Sequence, residues 1–146
     1  DGDAVGGDCM TCSIGFRAPQ RGGLAGELLQ RLGEDIDDPV LYQDPRQPAT
    51  DMPARMPAGM QAFAMAALQR ALARPEAVAL ALGEVMTEPK PAVWFEEPAQ
   101  AWHPGALRLD RRTRMMYDTR FVFINGEGIR AGGADARLMR RLADRR

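Results

Sequence analysis

Proline placement constrains this chain more than any other feature. Pro39, Pro45, Pro48, Pro53 and Pro57 crowd one stretch, and Pro75, Pro89 and Pro91 follow at wider intervals. Proline has no amide donor and a fixed φ, so it breaks helix interiors and central strands but is harmless in the first turn of a helix. Residues 38–58 therefore read as an extended, irregular connector. Pro57 opens one helix, in which Met60, Phe63, Ala67, Leu68 and Ala71 form a stripe. Pro75 opens another through about Met86, with Val78, Leu82 and Val85 on one face; Pro89 and Pro91 close it. Before the connector, residues 23–33 place Leu24, Leu28 and Leu32 at helical spacing, widened by Leu29, and Gly33 with the acids after it ends the run. The middle of the chain is thus predicted to be a short helical bundle whose apolar faces need each other or a second copy.

Strand patterns lie on either side. After a turn-rich lead-in, residues 9–16 (CMTCSIGF) alternate, with Cys9, Thr11 and Ser13 on a small polar face and Met10, Cys12 and Ile14 on an apolar one. Such a strand suits the lining of a polar cavity or a wet sheet edge. Residues 92–104 form a linker with aromatics. Beyond it, Leu107 and Leu109 alternate, Asp110 to Thr113 make a turn, and Met115 and Tyr117 alternate on the return strand. Phe121 to Ile124 make a third strand and Ile129 marks a fourth, joined by Asn125-Gly126, the pair that supplies positive φ to a type I′ turn. Gly132 and Gly133 break that strand, and Ala134 to about Ala143 read as a last helix.

The 146 residues carry 19 Lys+Arg against 20 Asp+Glu, an ordinary soluble composition. Charge is unevenly spread: residues 1–51 have a net of −6 and residues 104–146 a net of +6. The longest apolar runs, Ala62 to Leu68 and Ala77 to Leu82, fall far below the ~18 residues of a membrane helix. A basic end hints at an anionic partner, and the plain alternative is a solvated face.

Few residues suggest chemistry by themselves. Cys9 and Cys12 spell C-x-x-C, but on a strand they face opposite ways, so the default is two buried thiols and not a redox or zinc pair. His103 is the only histidine, in a Trp-His-Pro linker, and reads as a surface or packing residue. Glu34, Asp35, Asp37 and Asp38 form a cation patch or, more simply, a solvated helix end. In the last helix Arg137, Arg140, Arg141 and Arg145 share an arc with Asp144 inside it, and Ala134, Leu138, Met139 and Leu142 fall roughly opposite. Phosphate contact by such an arc is physically sensible.

Two segments resemble one family. The first is DCMTCSIGFRAP (Asp8 to Pro19), followed by a helix and LYQDPRQP (Leu41 to Pro48). The second is RLDRRTRMMYD (Arg108 to Asp118), then FVFINGE (Phe121 to Glu127) and RLMRRLADRR (Arg137 to Arg146). In this order they are similar to the bacterial ribosomal oxygenases of the cupin, Jumonji-C-like group. These Fe(II)- and 2-oxoglutarate-dependent enzymes hydroxylate an arginine of a large-subunit ribosomal protein.

The resemblance implies an α+β chain. Residues 1–19 would be the terminal strand segment of a cupin jelly roll, 20–90 a helical dimerisation domain, 91–103 a linker, and 104–146 a partial winged-helix domain. It implies a cytoplasmic homodimer paired through residues 20–90, with a ribosomal protein as substrate and neither membrane nor nucleic acid as partner. It also implies further chain at both ends, with the His-x-Asp pair upstream and the later His directly before Asp1. No catalytic or metal-ligating residue is then expected in this chain, and iron and 2-oxoglutarate belong to the parent enzyme. Thr11, and after it Ser13, are the residues expected to reach toward 2-oxoglutarate. The alternative is a stand-alone winged-helix-like module that binds nucleic acid or dimerises.

Overall fold

The computed structural model describes residues 18–96 and 108–146. These form an α+β arrangement of four helices and one small, open, three-stranded antiparallel sheet. Helix α1 spans Arg21–Glu34, α2 Ala58–Leu72, α3 Pro75–Thr87 and α4 Gly133–Ala143; strands β1, β2 and β3 span Met115–Tyr117, Phe121–Ile124 and Glu127–Arg130. The prolines act as expected. Pro57 is the N-cap of α2, Pro75 is the first residue of α3, and the connector between α1 and α2 has no regular structure.

The strands run β1-β2-β3 in order, with Val122 opposite both Tyr117 and Ile129. Asn125 and Gly126 sit at φ 50° and 91°, the positive values that a two-residue type I′ turn requires. At the other hairpin, the Asp118 carboxylate accepts the amides of Arg120 and Phe121, at 2.6 and 2.7 Å.

The sheet is filled on both faces. Phe121 and Phe123 point to α3, and Val122, 1% exposed, points the opposite way. Tyr117 shares Val122's face, and its hydroxyl donates to the carboxylate of Asp144, the C-cap residue of α4. Helices α3 and α4 therefore cover opposite faces. Helix α3 also packs on α1, through Leu32 and the Arg31 ion pairs to Glu84 and Glu88.

Three expectations need correction. The sheet has three strands, not four. Leu109 lies in irregular chain, because Asp110 folds back to accept the Arg112 amide at 2.7 Å and turns the chain there; Leu107 lies outside the described residues. The face of α3 that is buried is not Val78–Leu82–Val85. Ala81, Gly83 and Thr87 are buried and Leu82 is 40% exposed, because the bulk at this contact comes from the sheet and the helix meets it with small residues. The helices also do not form one bundle. Among the described residues α2 packs mainly on the preceding connector, and of its stripe only Ala71 is buried.

Candidate interaction surface

The surface that stands out is built on α2 and the connector. Its anchor is Tyr42, whose ring meets Phe63 edge-on at 5.7 Å and whose hydroxyl lies against Gly59. Asp38 accepts the Val40 amide and pairs with Arg70 at 3.4 Å, which holds residues 36–40 along the helix. Between them runs an apolar groove of ≈ 510 Å³, floored by Ala66, Ala67 and Ala71 and walled by Ile36, Val40, Phe63 and Leu68. Asp37, Asp38, Arg70 and Arg74 stand at its charged rim. A wider, shallower trough beside it holds Met52, Met56 and the connector prolines.

Apolar exposure concentrates here. Ile36, Val40, Leu41, Met52, Met56, Met60, Phe63, Met65, Leu68 and Leu72 are all more than a third exposed. Single exposed apolar residues are normal on a soluble protein, but a contiguous patch marks a place where something else packs. The alanines on the groove floor would let a second backbone come close.

A second surface is α4. Ala136 is buried, and Met139, Arg140 and Ala143 are half-buried on the same side. The sequence pattern placed Arg140 in the outward basic arc and Leu138 in the apolar face; both assignments are reversed. Arg140 turns onto the β1–β2 loop, donates to the carbonyls of Asp118 and Thr119 at 3.0 Å each, and stacks 5.5 Å from the Tyr117 ring. Leu138 is 53% exposed. Facing carbonyl oxygens outcompete water for a guanidinium that can reach them in place. The hydrogen bond to Asp144 raises the Tyr117 pKa, since a phenolate beside that carboxylate is disfavoured.

Sequence reasoning missed the join between α3 and the hairpin. Thr87, 0% exposed, donates to the Gly83 carbonyl at 2.8 Å and accepts the Gly126 amide at 3.1 Å. One turn earlier, burial raises the Glu84 pKa, while Arg31 and the Gly128 amide pull it down. A threonine at a helix end is too common a sight to signal such a bond in advance.

Thr11, Ser13, Cys9, Cys12 and His103 all lie outside the described residues. Among the described residues no group of three or more His, Cys, Asp or Glu side chains is placed to hold a metal ion; Glu34, Asp35 and Asp37 are exposed, and Asp38 is taken by Arg70. No iron-dependent step is derived from them. No described helix is long and apolar enough to cross a membrane.

What these residues define is an α+β unit with an unpartnered apolar helix and a basic one. Comparison of the chain with known protein families, with curated proteins and with solved structures finds no match.

Proposed function

We propose that this chain is the assembly portion of a 2-oxoglutarate- and Fe(II)-dependent oxygenase that hydroxylates an arginine of a large-subunit ribosomal protein in the cytoplasm. Residues 1–19 contribute the last strand of its jelly roll, with Thr11 and Ser13 toward 2-oxoglutarate. Residues 20–90 pair two copies, and residues 104–146 form a winged-helix-like unit after the 91–103 linker. The oxygenase part of this reading rests on the resemblance of Asp8–Pro19 and Arg108–Arg146. The order of helices, hairpin sheet and final helix is compatible with it.

One observation carries the pairing role: α2 presents Met60, Phe63, Met65, Leu68 and Leu72 to water and, among the described elements, has no extensive packing on another helix. A groove rim with both signs of charge is self-complementary about a two-fold axis, since each copy offers Asp37 to the other's Arg74 and receives the same. Sedimentation of the chain at micromolar concentration tests it. A dimer is expected, and Phe63→Asp with Leu68→Asp should give a monomer of unchanged helicity. A monomeric wild-type chain sinks the pairing role. The oxygenase role is tested on the coding sequence upstream of Asp1. A His codon there and an earlier His-x-Asp pair support it, and a start codon beside Asp1 overturns it.

A further inference from the structure

Tertiary packing alters the basic face of α4 in two ways. It withdraws Arg140 onto the Asp118 and Thr119 carbonyls, and it engages the Asp144 carboxylate with the Tyr117 hydroxyl. What remains facing water is Arg137, Arg141 and Arg145, four residues apart, all exposed and with no carboxylate partner among the described residues. Arg137 and Arg141 lie one turn apart on α4, about 6 Å along its axis at 1.5 Å per residue, and Arg145 follows just past the helix end. The chain then closes on itself: the Arg145 amide donates to the Leu142 carbonyl at 3.1 Å and the Arg146 amide to the Arg141 carbonyl at 2.9 Å, with Arg145 at φ 57°. That closure holds Arg146 beside Arg141.

We propose that the outer face of α4 is a contact site for the phosphate backbone of nucleic acid. Guanidiniums clustered along the last turns of α4 and at its end suit a polyanion, and each planar fork matches a phosphate bidentately. A lipid surface fits poorly, because the apolar side of α4 is already spent on the sheet and only Leu138 projects outward. Helix α4 itself carries no aromatic residue on which bases could stack, so recognition is through the backbone and independent of sequence. This site is separate from the α2 pairing surface and stands or falls without it.

The test is titration of the 146-residue chain with a labelled 20-nucleotide single strand, and with a duplex of equal length, between 50 and 200 mM salt. Three phosphate contacts give a log–log slope of about −2 for the single strand and nearly −3 for the duplex, a loss of roughly 20- to 40-fold across that range. Arg137→Gln, Arg141→Gln and Arg145→Gln together should abolish binding with an unchanged circular dichroism spectrum. Arg21→Gln, Arg46→Gln and Arg55→Gln, equal in charge but remote, should leave it intact. Absence of binding at 50 mM salt overturns the proposal, as does equal loss in the remote variant. Equal competition by polyglutamate would assign the face to an acidic protein and also overturn it.

Discussion

Replacing Gly83 by alanine tests the packing of α3 on the sheet more sharply than any deletion. A Cβ built on Gly83 falls inside the Phe123 ring, meeting three of its atoms at once. The ring edge nearest Gly83 also lies 3.3 Å from where a Cβ on Gly128 would be, a point that Leu80 and Glu84 crowd as well, and Phe123 itself is only 3% exposed. Overpacking of this kind costs about 1–3 kcal/mol, and overlap with three atoms of a buried ring puts it near ~3. Against that, Gly→Ala inside a helix gains about 0.5–1 kcal/mol. The net expectation is a loss of about 2 kcal/mol, or a fall in Tm of about 4–8 °C for a chain of this length. Gly26 in α1 is the matched control, since nothing lies within 4 Å of its added Cβ. Gly26→Ala should stabilise by about 0.5–1 kcal/mol. Urea unfolding of both variants separates the two terms, and Phe123→Leu in the Gly83→Ala background should recover part of the loss as a coupling energy. If Gly83→Ala and Gly26→Ala move stability alike, Phe123 is not seated on α3 and the account of this core is refuted.

Other outcomes follow from the same contacts. Thr87→Val keeps the shape but strands the Gly126 amide, so it should cost about 1–3 kcal/mol and speed hydrogen exchange at Gly126; unchanged exchange would count against the bond. The raised Glu84 pKa means that the folded chain binds this proton more tightly than the unfolded chain does. Stability from this group is therefore full below its ordinary value of 4.5 and declines as pH rises through the folded value. Glu84→Gln should flatten that decline in urea midpoints measured from acid toward neutral pH, and an unaltered profile would remove Glu84 as its source. Asp110 behaves oppositely: the Arg112 guanidinium lowers its pKa, so its contribution is lost as pH falls through the folded value, and Asp110→Asn should abolish that acid-side loss. Arg140→Gln should loosen the β1–β2 loop and raise the mobility of the Tyr117 ring, read by NMR line shapes; an unperturbed ring would show that the stacked guanidinium contributes nothing.

Much of the local structure was legible because it depends on the backbone chemistry of single residues. A missing amide at Pro57 and Pro75 sets where two helices begin, and the Asn125-Gly126 pair needs no tertiary help to turn a hairpin. The stripe Leu24–Leu28–Leu32 faces inward as its spacing predicts, though Leu29 beside it is 45% exposed. Periodicity failed where the partner decides the answer. Met60, Phe63 and Leu68 form as good a stripe as any, yet no described element covers them. The residues expected at a cofactor, Thr11 and Ser13, lie outside the described residues, and that expectation rests on the family resemblance.

By itself, then, the sequence determined the order of the four helices and the last three strands, the starts of α2 and α3, the tight hairpin and the uneven distribution of charge. Those follow from φ restriction, donor loss and alternation, which act within a few residues. Tertiary structure alone decided that α3 meets the sheet with glycine and threonine, that Arg140 leaves the basic face while Leu138 joins it, and that no described element covers the stripe of α2. Each of those outcomes turns on which group lies opposite across a gap of a few ångströms, and a one-dimensional pattern carries no record of what lies opposite.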